Sequence, residues 1–272
     1  MRDHGLSAAE PGTRGPLFER DGDLLVPSAL AAGPWDPGAL HGGSAGGLMA
    51  WSMESLDPDP EMPFARVTCE FLRPVPVAPL KVSSRVIRPG RRVQGLEAEV
   101  RHGDELVCRA SGLRIRSGDS DVPEGVLPRP TPIPAWDTGA PPAWLDSWAR
   151  GLIHWMDVRL VKGDIPETGP GAAWFRLGGE LVAGEAPGPL QRVVTAADFG
   201  NGLSGILDFR THLYINPDLT VYLHRYPTGE WVGVDAVTWA HPHGIGLAES
   251  QLWDEEGPIG RSLQSLVVGK RG

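Results

Sequence analysis

The chain has 272 residues and 29.2 kDa, 41% hydrophobic and 22% charged, enough for one large domain or two of about 130 residues. Its formal charge of −9 gives no general attraction to nucleic acid or to an anionic membrane. The 36 Gly and 27 Pro favour many turns and short strands over a helical bundle.

Residues 1–12, MRDHGLSAAEPG, carry no basic stretch leading into an apolar core, so no secretory signal is expected. No run of about 18 apolar residues occurs, which predicts no membrane span. Cys69 and Cys108 sit in apolar, strand-like runs and read as reduced core thiols. Together these features predict a soluble cytoplasmic protein. Ten tryptophans read either as core filling or as the walls of an apolar ligand slot.

In the first half, Ala45, Leu48, Met49, Ser52 and Leu56 recur at helical spacing within Gly42–Leu56. Next, Ala65, Val67, Cys69 and Phe71 alternate with Arg66, Thr68, Glu70 and Leu72, the pattern of a half-buried strand. Leu96, Ala98 and Val100 alternate in the same way, and His102-Gly103-Asp104 turns that strand into Leu106–Ile115. Seven prolines between Ser117 and Pro142 exclude a helix or a central strand and mark a linker. The reading is an N-terminal half over 1–116, a linker over 117–148 and a C-terminal half over 149–272. In that second half, Leu203, Ile206, Leu207 and Arg210 give one helical face starting near Gly200. Leu219, Val221 and Leu223 then open a sheet that Trp231–Trp239, Ile245–Trp253 and Ile259–Val268 continue.

The halves repeat each other. Laying Phe64–Ile115 over Asn216–Val267 at a constant offset of 152 puts Arg73 on Arg225, Val107 on Ile259 and Arg109 on Arg261. Upstream, an offset of 159 puts Gly43 and Gly46 on Gly202 and Gly205, with Asp57–Pro63 as the extra loop. Each half reads as a Gly-rich helix start, a helix and about four strands. A sheet of this length buries so apolar a helix only by curling round it. The expected class is α+β, a double hot-dog, with two antiparallel β-sheets each wrapped round a central helix.

The segments His41-Gly42-Gly43, Phe71-Leu72-Arg73-Pro74, Ala197-Asp198-Phe199, Leu223-His224-Arg225 and Ser262-Leu263-Gln264 resemble those of bacterial acyl-CoA thioesterase II proteins, which are double hot-dogs. The resemblance covers most of the chain outside the linker. It implies hydrolysis of a fatty or other apolar acyl-CoA to the free acid and CoA by direct water attack, without a cofactor. It also implies that Asp198, Asn216 and Gln264 hold the water, with Asn216 standing where better-known members have Thr. The repeat supplies an independent observation. The first-half counterparts of these three are Ala39, Phe64 and Gly112, so one copy keeps polar groups where the other has none.

Each candidate has a structural alternative. Asp198 also reads as the N-cap of a helix starting near Gly200, Asn216-Pro217 as a turn and Gln264 as a solvent-facing strand residue. His41-Gly42-Gly43 is either a tight helix start or, through its backbone N–H groups, the site of a developing oxyanion, with Gly43 as the expected donor. His224-Arg225 is an ion-paired strand end or part of a CoA channel. Arg88, Arg91 and Arg92 are a solvated turn or a contact for CoA phosphates. No metal site is expected at His241-Pro242-His243, which lacks a nearby carboxylate or Cys set.

Gly42-Gly43-Ser44-Ala45-Gly46 and Gly200-Asn201-Gly202-Leu203-Ser204-Gly205 match the bare Gly-x-Ser-x-Gly and Gly-x-Gly-x-x-Gly patterns, but neither follows a strand-like run, so neither reads as a nucleophile elbow or a dinucleotide fingerprint, and no P-loop occurs. The competing functions are a hot-dog enoyl-CoA hydratase and a non-catalytic acyl-CoA or lipid-binding protein. A hydratase needs an Asp–His pair, and the histidine that follows Asp198, His212, lies beyond the helical stretch. Sheets of this kind pair edge to edge. Two copies in one chain can do so internally, and further association into a homo-oligomer stays open.

Overall fold

The computed structural model describes residues 14–123, 126, 128, 130–145, 151–164 and 167–271. The segment read for a secretory signal, and parts of the Pro-rich stretch, lie outside the described residues. The first half contains β1 (Phe18–Asp21), β2 (Leu24–Pro27), α1 (Gly42–Glu54), β3 (Phe64–Phe71), β4 (Leu80–Arg88), β5 (Val93–His102) and β6 (Glu105–Ile115). The second contains α2 (Leu152–Trp155), β7 (Asp157–Lys162), β8 (Gly171–Arg176), α3 (Pro189–Ala197), α4 (Gly200–Leu203) and β9 (His212–Ile215). It ends with β10 (Asp218–Leu223), β11 (Val232–Ala240), β12 (Ile245–Asp254) and β13 (Gly257–Lys270).

The two expected sheets are fused into one. Its order is β1-β2-β4-β5-β6-β3-β10-β13-β12-β11-β8-β7, with β9 paired to β13. The halves join where β3 meets β10 antiparallel, Val67 opposite Val221. Thr68 and Thr220, 152 residues apart, face each other there and share a hydroxyl hydrogen bond of 3.2 Å. They mark the internal two-fold axis. β4, β5 and β6 start at Leu80, Val93 and Glu105, and β11, β12 and β13 start at Val232, Ile245 and Gly257. The 152-residue register therefore holds across the whole meander.

The helix of the second half lies elsewhere than the sequence reading placed it. Its main segment is Pro189–Ala197, and only Gly200–Leu203 of the expected stretch is helical. Pro189 sits at the first helical position, where its missing N–H costs nothing. Leu190, Val193, Val194 and Ala197 give the buried face. Gly200, Gly202 and Gly205 each weaken a helix interior by about 1 kcal/mol, and the chain leaves the helix after Leu203. The 159-residue offset fails with that placement.

α1 and α3 run antiparallel at the centre, with Gly42 beside Asp198 and Glu54 beside Leu190. Their backbones approach closely because α1 presents glycines. A Cβ at Gly46 would lie 2.9 Å from Val194 Cγ1, and one at Gly47 2.3 Å from Thr195 Oγ1. Leu48, Met49, Met53, Val193 and Val194 form the core with the concave sheet face. On the outer face, Ile133 and Trp136 of the Pro-rich stretch cover Trp174, Trp231 and Trp253. The Trp136 and Trp231 rings stack 5.0 Å apart.

Candidate active site

Asp198 terminates α3 as its C-cap, and Phe199, not Asp198, is the N-cap of α4. A carboxylate at a helix C-terminus runs against the helix dipole, so its position needs other partners. It has them. Asn216 Nδ2 donates to Asp198 Oδ1 at 2.8 Å, Gln264 Nε2 donates to the same oxygen at 3.2 Å, and His41 Nδ1 lies 2.9 Å from Oδ2. Asp198 is 2% exposed. Its carboxylate also meets the first turn of α1, a 13-residue helix whose N-terminus favours an anion. Gly42 permits this approach, since a Cβ there would lie 2.6 Å from Asp198 Oδ2.

The structure thus brings Asp198, Asn216, Gln264, His41, Gly42 and Gly43 together from both halves. Their orientations refine the sequence expectations. Gln264 is buried; its amide oxygen accepts from Asn201 N at 3.1 Å while its nitrogen also reaches the Asp198 carbonyl at 3.2 Å. Both N–H donors of its amide are turned to Asp198. Asn216 Nδ2 also donates to the Asp218 carbonyl at 3.1 Å, which commits the extra NH2 group and leaves the amide oxygen as its free acceptor. Gly43, expected as the oxyanion donor, is not among the residues lining the cavity, and its N lies 3.0 Å from His41 Nδ1. Gly42 instead lines the cavity, and its N–H belongs to the first-turn set that has no acceptor within the helix.

That cavity has a volume of about 410 Å³ and runs from His41, Gly42, Asp198 and Asn216 to an apolar wall. The wall includes Trp35, Val75, Trp144, Leu152, Phe199, Phe209 and Tyr214. Trp35 and Phe209 pack with ring centroids 4.4 Å apart, and the Arg271 guanidinium lies 4.9 Å from the Phe209 centroid. Among the described residues, Trp35 and Trp144 therefore serve the slot, while Trp174, Trp231 and Trp253 are outer-face packing. Arg73, noted in the sequence only as the end of a strand, lines the cavity and is well exposed, paired to Glu105 at 2.6 Å.

The other basic candidates do not reach this site. Arg225 binds Asp254 at 2.5 and 2.7 Å and also reaches the Gly257 carbonyl, fixing the exit of β10 to the β12–β13 hairpin. Burial pushes the Asp254 carboxyl up, but Arg225 and the Thr228 and Glu256 N–H groups more than offset it and hold it low. His224 beside Arg225 is exposed. Arg88, Arg91 and Arg92 occupy the β4–β5 turn, level with the start of β3. The cavity lies beyond the far end of β3, about 25 Å away along an eight-residue strand. Local clustering of arginines in sequence gave no guide to the site.

The sequence argument against an Asp–His pair also fails. The partner of Asp198 is not His212 but His41, contributed by the other half. Among the described residues, no group of three His, Cys, Asp or Glu side chains has a metal-binding arrangement, and no helix is long and apolar enough to cross a membrane.

Comparison with known proteins agrees with this architecture. A family model for the acyl-CoA thioesterase C-terminal domain matches residues 123–268, and one for the N-terminal domain matches residues 31–115. No curated protein matches the sequence. Among solved structures, a candidate thioesterase of Novosphingobium aromaticivorans is similar at 22% identity and a TM-score of 0.70, covering 93% of this chain and 99% of that one. A hot-dog protein of unknown function from Alicyclobacillus acidocaldarius gives 17% identity and a TM-score of 0.67, over 94% and 96% of the two chains. An acyl-CoA thioesterase II of Mycobacterium marinum gives 14% identity and 0.61, over 86% and 93%. At these identities the structural likeness shows the double hot-dog fold alone; the family models, spanning both halves, carry the activity. The chain belongs to the acyl-CoA thioesterase family and is a thioester hydrolase.

Proposed function

We propose that the chain hydrolyses an apolar acyl-CoA in the cavity between its two halves, with Asp198 as the catalytic charge. The observation that carries this reading is a buried carboxylate, held by two side-chain amide N–H donors and 2.9 Å from His41 Nδ1, opening on an apolar cavity. The acyl chain lies along Trp35, Val75 and Phe209, and the thioester carbonyl sits against the first turn of α1. There the Gly42 N–H and the helix dipole receive the oxyanion. Asn216 Oδ1 and the Asp198 side define the position of the attacking water. Gln264 acts through Asp198 and not on the water. Arg73, exposed at the rim, is the basic side chain among the described lining residues and would meet the CoA phosphates.

The test is thiol release from a panel of acyl-CoAs, acetyl to palmitoyl with a branched and an aromatic member, on wild type and Asp198→Asn. Wild type should discriminate by acyl length. The variant should lose about a thousandfold in kcat, within the range for removal of acid–base catalysis. An unchanged kcat in Asp198→Asn would overturn the site. Loss of the conjugated absorbance of an enoyl-CoA without thiol release would instead reveal a hydratase.

A further inference from the structure

We infer that His41 is the proton acceptor for the attacking water, acting through Nε2, with Asp198 holding its Nδ1 proton. This rests on the hydrolytic reading above and deepens it by naming the atom that takes the proton.

The argument begins with a conflict at one atom. His41 Nδ1 lies 3.0 Å from the Gly43 N–H and 2.9 Å from Asp198 Oδ2. A ring nitrogen either accepts or donates; it cannot do both at once. As an acceptor it satisfies Gly43 but presents a lone pair to a carboxylate oxygen. As an N–H donor it forms a charge-assisted bond to Asp198, about twice as strong as a neutral one. The second arrangement puts the proton on Nδ1 and leaves Nε2 with its lone pair.

The surroundings give that lone pair a direction. The His41 ring is clamped against Phe199, centroids 4.6 Å apart, so its plane is fixed. With Nδ1 turned to Asp198, Nε2 lies across Cε1 from it, on a ring that lines the cavity. Its side chain is 13% exposed against 2% for Asp198. Both groups line the cavity, and the imidazole is the more exposed of the two.

In the step itself, a water lone pair forms a bond to the thioester carbon and the carbonyl π pair moves to oxygen, against the α1 first turn. The water proton passes to Nε2. On collapse the C–S bond breaks, its electron pair leaves on sulfur, and Nε2–H returns the proton to that sulfur. The acid and the free thiol depart with His41 neutral. Among the described residues, the other ionisable groups on this cavity are Asp36, Arg73 and Tyr214. Burial, with the Asp208 charge added, pushes the Tyr214 hydroxyl up, so it does not titrate in the neutral range.

The decisive variant is His41→Asn, whose amide can still occupy the Nδ1 position toward Asp198 and Gly43 but has nothing at Nε2. A capping role alone predicts near wild-type turnover. The dyad predicts a kcat lower by about a hundredfold or more, with KM little changed and the acid limb of the kcat–pH profile gone. His41→Ala should then recover turnover in proportion to added imidazole. Wild-type kcat with its acid limb in His41→Asn would overturn the proposal. If Asp198→Asn is still inactive in that case, the site reading survives; if both variants are active, it falls too. Should neither His41 variant fold, carbethoxylation of wild type with peptide mapping replaces them. Activity lost in step with His41 modification supports the dyad, and full activity with His41 modified overturns it.

Discussion

The two central helices begin in the same way and end up with different tasks. At the start of α1 the carboxylate is Asp198, from the end of α3. At the start of α3 it is Glu54, from the end of α1, accepting from Leu190 N at 2.9 Å, Gln191 N at 3.3 Å and Gln191 Nε2 at 3.1 Å. Tyr226 adds a hydroxyl at 2.6 Å. Burial, followed by the Glu54 charge and hydrogen bond, pushes the Tyr226 hydroxyl far up, so it remains a donor. Where the first site has Asn216 and Gln264, the second has Phe64 and Gly112. A Cβ on Gly112 would lie 2.8 Å from the Phe64 ring; aromatic carbon fills the volume. Arg114 closes the region, its guanidinium 4.6 Å from the Phe64 centroid and donating to the Met53, Leu56 and Asp57 carbonyls. A helix N-terminus facing a carboxylate is thus a clamp when every donor is consumed. It becomes a candidate active site only when one side is left open to a cavity.

The comparison can be broken with a matched pair of glycines. A Cβ at Gly42 would lie 2.6 Å from Asp198 Oδ2, and one at Gly188, the N-cap of α3, 2.3 Å from Glu54 Oε2. Both contacts are with side-chain ends that can swing away. Gly42→Ala should therefore displace the Asp198 carboxylate, which we propose as catalytic, lowering kcat about a hundredfold for a shift near 1 Å. Gly188→Ala should leave kcat unchanged and lower stability by about 1 kcal/mol, as for a weakened cap. Parallel kcat and urea-unfolding measurements test the pair. Equal effects of the two on kcat would mean that the second site is not merely structural.

A gentler probe is Glu54→Gln, which keeps the shape and removes the charge. Charge-assisted hydrogen bonds contribute about 1.5–3 kcal/mol each, less where partly exposed, so a net loss of about 2 kcal/mol is expected. Thioester turnover should stay within about twofold, since Glu54 touches nothing in the cavity. A large loss of kcat with stability intact would contradict the division of labour.

This division was only partly legible in the sequence. The meander could be read because strand alternation and a single register carry through β3–β6 and β10–β13, and sheet packing leaves no freedom to slip by one residue. The asymmetry between Asn216, Gln264 and their counterparts Phe64 and Gly112 pointed to the more polar copy for the same reason, whereas Ala39 as counterpart of Asp198 fell with the 159-residue offset, Glu54 standing in that place. The second helix was misplaced because Gly200–Gly205 resembles the Gly-rich start of α1, while the Pro189 start and the 190, 193, 194, 197 stripe were the better signals. His41 could not be paired with Asp198 from sequence at all. Their contact is created by the antiparallel packing of helices from different halves, and no local spacing encodes it. Arg225 misled because an arginine at a strand end looks the same whether it meets a ligand or, as here, Asp254.

The smallest expected effect concerns the cysteines, which sense the two halves of the comparison differently. Burial pushes the Cys69 thiol well above its ordinary range, and the charges of Cys108, Asp198 and Asp218 add to it. Burial alone takes Cys108 from 9.0 to about 12. Both groups are raised, so the stability they confer is fully present below the unfolded thiol range. It is lost as the pH climbs from about 9 toward 12, where the unfolded chain ionises first. Native protein should accordingly give no reaction with an aromatic disulfide reagent at neutral pH, and two thiols after denaturation. Cys69→Ala and Cys108→Ala should each flatten the alkaline fall in stability. Asp198→Asn removes one of the charges acting on Cys69 and none acting on Cys108. It should therefore ease the ionisation of Cys69 slightly and leave Cys108 unchanged, as read by alkylation of each cysteine against pH. Equal shifts at both would mean that the variant has loosened the core, and its loss of turnover would then be no evidence for a catalytic carboxylate.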